Sequence, residues 1–137
     1  MTEVRITWPQ AAQPLALQAI MFDLDGTMVD TMGDFDVALN AMLRDLQLPA
    51  IERGVIQQLV GKGSEHLIRQ TLAHVGASAN LYEQAFASYQ QQYGEINGEY
   101  SALYPGVREG LQHMASWGVP LACLTNKPQI HAEVLLQ

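Results

Sequence analysis

The sequence predicts an α/β protein in which a long helical segment separates two strands of a parallel sheet. Two short apolar runs, Leu15–Phe22 and Val119–Leu124, each end directly at a group of polar residues. This pattern is typical of buried strands that lead into functional loops. Between the runs the apolar residues recur at threes and fours, which indicates amphipathic helices. The order of strand, helical insert, helix, strand and helix favours a parallel sheet.

Composition and charge indicate a single folded, acidic protein. The chain has 137 residues, of which 48% are hydrophobic and 15% charged, so a buried core is expected rather than disorder. A formal net charge of -7 disfavours nucleic acid or an anionic membrane as the main partner. Cys123 is the only cysteine, so no intrachain disulfide is expected. Neither a signal peptide nor an apolar stretch of membrane-spanning length is evident, so we expect a cytoplasmic protein.

Local signals place the elements in order along the chain. A short half-exposed strand is predicted at Val4–Trp8, before the apolar run that begins at Leu15. Four helices are predicted in the insert, with Ser64 and Ser78 as helix caps. A linker over 97–104 is predicted next, then a helix that begins at Pro105 and closes at Gly118. The four insert helices are expected at 31–46, 52–60, 64–75 and from 78 to about 93.

Acidic residues are concentrated directly after the first strand. Asp23 and Asp25 flank Leu24, and Gly26 allows a sharp turn that could bring the two carboxylates together. Two carboxylates ~5 Å apart repel by about 3 kcal/mol at an effective dielectric constant of 20. The site therefore favours a bound cation, and its oxygen ligands favour Mg²⁺ over Zn²⁺. By contrast, the three acids that follow are expected to be solvated or to cap a helix; these are Asp30, Asp34 and Asp36.

The residues from Phe22 to Asp30, Phe-Asp-Leu-Asp-Gly-Thr-Met-Val-Asp, resemble the first motif of the haloacid dehalogenase superfamily. The resemblance implies that Asp23 is the nucleophile and forms an aspartyl-phosphate. It implies that Asp25 is the general acid for the leaving alcohol and then the base for water. The Asp23 carboxylate and the Asp25 backbone carbonyl would ligate Mg²⁺, and Thr27 is a candidate substrate contact.

A second motif of the same superfamily matches the residues after the second strand. Leu124-Thr125-Asn126-Lys127-Pro128 lies where that motif belongs. The resemblance implies that Thr125 donates its hydroxyl to a phosphoryl oxygen, with help from Asn126 and Lys127. The helix that begins at Pro128 would add the positive end of its dipole.

The insert between the motifs resembles the helical cap of phosphoglycolate phosphatase-like members. Gly61-Lys62-Gly63 and Tyr104-Pro105-Gly106 both favour that subgroup. Lys62 is then a candidate contact for an anionic substrate under a closing cap loop, although an exposed loop lysine is an equally good interpretation. The resemblance implies a partial Rossmann-like parallel-sheet core over 1–31 and 97–137, interrupted by an all-helical cap over 32–96. The aromatic stripe of the last cap helix is expected to be cap core; it comprises Tyr82, Phe86, Tyr89 and Tyr93.

The family pattern continues beyond the second motif with a lysine and then an acidic pair. Ten residues follow Lys127, so the resemblance implies a chain truncated before these parts of the site. Two classes of function therefore remain open. The first is a phosphate monoester hydrolase for a small metabolite such as phosphoglycolate, with a phosphosugar mutase as the alternative enzyme. The second is a non-catalytic remnant that acts as a folded module or as a homodimer formed through the open sheet edge or the cap.

Overall fold

The computed structural model describes residues 5–6 and 15–137. Its strands are short; in chain order they are β1 (Arg5–Ile6), β2 (Leu15–Ala16), β3 (Ile20–Phe22), β4 (Val29–Asp30), β5 (Ala102–Leu103) and β6 (Leu121–Cys123). Its helices are α1 (Met32–Asp45), α2 (Arg53–Leu59), α3 (Ser64–His74), α4 (Tyr82–Ile96), α5 (Val107–Ala115) and α6 (Gln129–Leu135), with a 3₁₀ turn at Ala79–Leu81. The strand predicted at Val4–Trp8 is present as β1, paired antiparallel with β2; residues 4, 7 and 8 lie outside the described residues.

The two strands that lead into the polar motifs lie side by side. β3 and β6 are parallel, with Phe22 opposite Cys123. The Leu124 N–H donates to the Phe22 carbonyl at 2.8 Å and carries the pairing into the following turn. Because parallel strands end at the same edge of a sheet, both motifs emerge together. The predicted α/β class with a parallel sheet is confirmed.

The prediction that these strands are buried holds for one face only. The side chains of Met21 and Leu124 are each 67% exposed. Phe22 and Cys123 instead pack against a small cluster that includes Leu24. Since successive strand residues point to opposite faces, one face is covered and the other is open within the described residues.

The segment 32–96 contains α1 to α4 and the 3₁₀ turn, which we call the helical segment. Its apolar faces meet in one cluster. Burial of each Leu or Ile side chain there contributes about 1.5–3 kcal/mol to the stability of the fold. The largest side chains in that cluster include Phe35, Leu39, Met42, Leu43, Ile56, Ile68, Tyr89 and Tyr93. The helices agree with the predicted ones, whereas the division of the chain into a core domain and a cap domain stays a prediction.

Three local predictions are corrected. The linker predicted over 97–104 contains β5, which pairs antiparallel with β4. Ser64 is the first residue of α3 and makes no capping hydrogen bond, whereas Ser78 accepts from the Asn80 N–H at 3.3 Å as expected. α5 begins at Val107 rather than at Pro105.

Candidate active site

The turn after β3 directs two carboxylates to one side. Leu24 is fully buried, so its neighbours Asp23 and Asp25 project away from the small apolar cluster. Gly26 follows with a φ of 75°, a backbone conformation that glycine adopts without strain. The Leu24 carbonyl accepts from the N–H groups of Met28 and Val29 at 3.0 and 3.1 Å. One apolar anchor and one glycine thus hold both acids at the end of the strand.

The turn after β6 brings the second motif to the same edge. The Lys127 N–H donates to the Thr125 hydroxyl oxygen at 3.1 Å. A hydroxyl that accepts in this way can still donate its own hydrogen. Thr125 is therefore held in place with a donor available for an anionic group.

A single cleft collects most of the predicted residues. Its volume is about 50 Å³, several times the ~10–15 Å³ that one water molecule needs. Five of the seven predicted site residues line it; they are Asp23, Asp25, Thr125, Asn126 and Lys127. The opposite wall comes from the helical segment, and its members include Phe35, Gly61, Gly63, Ser64, Leu67, Tyr89, Gln90 and Tyr93.

Lys127 bonds to an acid of the first motif. Its Nζ lies 3.1 Å from Asp25 Oδ1, and the Lys127 side chain is 3% exposed. The ammonium also donates to the Tyr93 hydroxyl oxygen and lies 5.0 Å from the centre of the Phe35 ring. Burial lowers the pKa of Lys127, and the charge of Asp25 opposes that change.

The sequence did not predict which side chains contact Lys127. Tyr93 was assigned to the cap core, and it is 1% exposed, yet it also lines the cleft. Burial is the main cause that raises the pKa of Tyr93, so its phenol stays neutral and can accept a hydrogen bond. His131 lies against the same ring, with a centroid distance of 5.0 Å. Helical spacing indicated the buried face of α4 but not which hydroxyl would meet a charge.

Two predicted residues lie elsewhere. Lys62 is exposed and is absent from the cleft lining, although both neighbouring glycines are present. Thr27 lines a separate hollow beside Pro105 and Met114. Neither side chain is brought to the acid pair, because the tight turns that contain them present other residues to the cleft.

One acid predicted to be solvated is instead fully buried. Asp34 accepts from the N–H groups of Gly98 and Tyr100, both at 2.8 Å, and from the Ser101 hydroxyl at 2.5 Å. The expectation of a solvated or capping side chain is wrong here, because three donors from a distant loop replace water. Asp30 does accept from the Met32 N–H at 3.1 Å, as expected for an acid at a helix start.

The described residues offer a partial set of metal ligands. No three His, Cys, Asp or Glu side chains among them are grouped closely enough to hold a metal ion. The charges of Asp23 and Asp25 nevertheless act together on Cys123, where burial first and these charges next raise the pKa of the thiol. Mg²⁺ is commonly bound through one or two carboxylates while it keeps several waters. The acid pair fits that mode of binding.

Comparison with known proteins identifies the family. The family model described as haloacid dehalogenase-like hydrolase matches residues 20–137. The chain belongs to this family. Both motifs and the whole helical segment of this haloacid dehalogenase-like chain lie inside the matched range.

Sequence relatives of this haloacid dehalogenase-like chain carry a common name. It is 36% identical over 127 residues to a phosphoglycolate phosphatase of Cupriavidus necator, covering 92% of this chain and 55% of the relative. It is 39% identical over 121 residues to a phosphoglycolate phosphatase of Pseudomonas syringae pv. syringae, covering 85% and 44%. The chain thus spans about half the length of the curated relatives it matches.

Solved structures agree on the fold. A structure described as a predicted phosphoglycolate phosphatase from Haemophilus somnus 129pt matches with a TM-score of 0.79 and 29% identity, over 83% of this chain and 53% of that one.

In the described part of the chain, no helix combines the length and apolarity needed to cross a membrane.

Proposed function

We propose that this chain carries the nucleophile-bearing part of a phosphate monoester hydrolase that acts through an aspartyl-phosphate. The observation that supports it most is the meeting of Asp23, Asp25 and Thr125 in one cleft at the carboxyl ends of β3 and β6. The relatives named above are phosphoglycolate phosphatases, so phosphoglycolate is the first substrate to test.

Each step is assigned to a residue of the cleft. An Asp23 oxygen attacks phosphorus and the bond to the leaving alcohol breaks, while Asp25 gives that alcohol a proton. Water then attacks the aspartyl-phosphate, Asp25 takes the water proton, and inorganic phosphate leaves with Asp23 restored. Thr125 donates its hydroxyl to a phosphoryl oxygen in both steps. Mg²⁺, held by the Asp23 carboxylate and the Asp25 backbone carbonyl, would supply positive charge beside the phosphoryl oxygens.

The deciding experiment measures phosphate released from phosphoglycolate by this chain, with and without Mg²⁺. We expect Mg²⁺-dependent release that falls to background in Asp23→Asn, because the amide cannot form the aspartyl-phosphate. Asp45→Asn is the matched control, since Asp45 is an exposed acid on α1 that bonds Ser88 outside the cleft. It should keep the wild-type rate.

Equal and slow release by the wild type and Asp23→Asn, from protein shown to be folded, would refute catalysis by this chain on its own. The non-catalytic module would then be the better interpretation. A hexose phosphate converted to its isomer without net phosphate release would instead favour the phosphosugar mutase.

A further inference from the structure

The turn after β6 contacts the helical segment through two consecutive side chains. The Asn126 amide donates to the Gly61 carbonyl at 3.0 Å. The Lys127 ammonium donates to the Tyr93 hydroxyl oxygen. The first contact holds the loop between α2 and α3, and the second holds α4. The residues assigned to phosphoryl binding thus also join the two sides of the cleft.

The Tyr93 ring is fixed by three elements. Its centroid lies 5.6 Å from that of Phe35 on α1, 5.5 Å from that of Tyr89 on α4 and 5.0 Å from that of His131 on α6. Aromatic pairs at these distances pack favourably. Because the ring is nearly inaccessible, at 1% exposure, the hydroxyl has a defined position relative to the turn.

Lys127 depends on that hydroxyl. Its ammonium has three hydrogens and is nearly excluded from solvent. Asp25 Oδ1 and the Tyr93 hydroxyl oxygen are its hydrogen-bond acceptors among the described residues. A buried charged donor that loses an acceptor is strongly destabilised where it stands. Without the Tyr93 hydroxyl, we expect the ammonium to turn towards water and to leave Asp25.

We propose that Tyr93 is a positioning residue for Asp25 and acts through Lys127. The proton-transfer carboxylate is then oriented through the contact of α4 with the turn after β6. This inference rests on the proposed function, because it assigns Asp25 the role given there. The contact between Tyr93 and Lys127 can nevertheless be tested without turnover.

The first test uses the two lysines of the sequence. Lys62 is exposed and Lys127 is buried. Trace acetylation followed by mass spectrometry therefore measures the reactivity of Lys127, with Lys62 as the internal reference. Loss of one hydrogen bond to a charged group changes an equilibrium constant about tenfold, here that between the buried and the solvent-exposed ammonium. Tyr93→Phe should therefore raise the ratio of Lys127 labelling to Lys62 labelling about tenfold. Tyr82→Phe, on the same helix but beside Arg69, should leave the ratio unchanged.

An unchanged ratio in folded Tyr93→Phe would overturn the inference, since it would show that the hydroxyl does not hold Lys127. A ratio that rises equally in Tyr82→Phe would also overturn it, because general loosening of α4 would then be the cause. Thermal unfolding of each variant confirms that the labelled protein is folded.

The second test measures turnover. Tyr93→Phe should lower kcat about tenfold for the same lost bond and leave KM within about twofold, because the inference gives the Tyr93 hydroxyl to Lys127 rather than to the substrate. The double variant Tyr93→Phe with Lys127→Met should be no slower than Lys127→Met alone, since both substitutions remove the same contact between Tyr93 and Lys127. A raised KM with unchanged kcat, or multiplied losses in the double variant, would overturn the inference. A chain without any turnover would refute catalysis by this chain on its own, while the lysine labelling would still decide whether Tyr93 holds Lys127.

Discussion

Single buried polar side chains join distant parts of this chain. Asp34 and Lys127 are both charged, both nearly inaccessible, and both bonded to groups more than thirty residues away. Burial of a charge is unfavourable unless hydrogen bonds or an opposite charge compensate it. Each residue is compensated, so each fixes the geometry around it more strictly than an apolar residue of the same size would.

Asp34→Asn tests this at the residue scale. The two carboxylate oxygens accept from three donors, and an amide would set an N–H₂ group against one of them. We expect the free energy of unfolding to fall by about 2–4 kcal/mol, because a bond to a charged acceptor is lost and a buried donor is left unpaired. Urea unfolding followed by circular dichroism measures the change.

Asp45→Asn is the control for that experiment. Asp45 lies on the same helix, but it is exposed and accepts from Ser88 and Gln92 at the surface. Its substitution should change the free energy of unfolding by no more than about 0.5 kcal/mol. Equal losses in the two variants would contradict the role given to the Asp34 carboxylate.

At the scale of elements, the start of α1 and the loop before β5 approach unusually closely. A Cβ at Gly33 would lie 2.8 Å from the Tyr100 Cβ and closer still to the Tyr100 carbonyl oxygen. The same loop donates to Asp34, and β5 then pairs with β4. The entry to the helical segment and the exit from it are therefore packed together beside the sheet.

Gly33→Ala should lower the free energy of unfolding by about 1–3 kcal/mol, because the added methyl group forces the backbone apart. Gly54→Ala is the matched substitution on α2, where nothing lies within 4 Å of the added methyl group. It should raise stability by about 0.5–1 kcal/mol through helix propensity. Thermal unfolding of both variants measures the contrast, and stabilisation by Gly33→Ala would contradict the close approach.

At the scale of the whole molecule, α6 connects the turn after β6 with the helical segment. The His131 carbonyl accepts from the Asn97 amide at 2.9 Å, and the His131 Nε2 lies 3.2 Å from the Gln90 Oε1. Burial first, and the Lys127 charge next, lower the pKa of His131 from its ordinary 6.5. Protonation of the His131 imidazole is therefore expected to weaken the packing of α6 against the helical segment.

The stability of the fold should depend on pH through His131. Because its folded-state pKa lies below 6.5, the unfolded chain binds this proton first as the pH falls. Stability contributed by the neutral imidazole is present above 6.5 and is lost as the pH falls from 6.5 towards the folded-state value. Urea unfolding between about pH 5 and pH 8, the range in which histidine titrates, should show a weaker dependence in His131→Gln than in wild type.

His74→Gln, at the exposed end of α3, is the control and should keep the wild-type difference in stability between the two ends of that range. An identical pH dependence in wild type and His131→Gln would contradict the assignment to His131.

Much of this protein was determined by local sequence. Apolar periodicity fixed the helices of the segment 32–96, and polar residues after two apolar runs located both motifs. A strand that ends at Asp-x-Asp-Gly needs only nearest neighbours to form its turn, since Leu24 and Gly26 set the directions of the two acids. Side chains that depend on such short-range geometry, Asp23 and Asp25 among them, were therefore accessible to prediction.

Only the tertiary structure decided the partners of the buried polar groups. The sequence does not indicate that Asp34 meets a loop 64 residues away, or that Lys127 lies between Asp25 and Tyr93. These contacts depend on how the helices pack, and the apolar stripe that drives the packing specifies a face rather than an individual atom. The sequence thus determined which residues are candidates for the chemistry, whereas packing decided which side chains contact them.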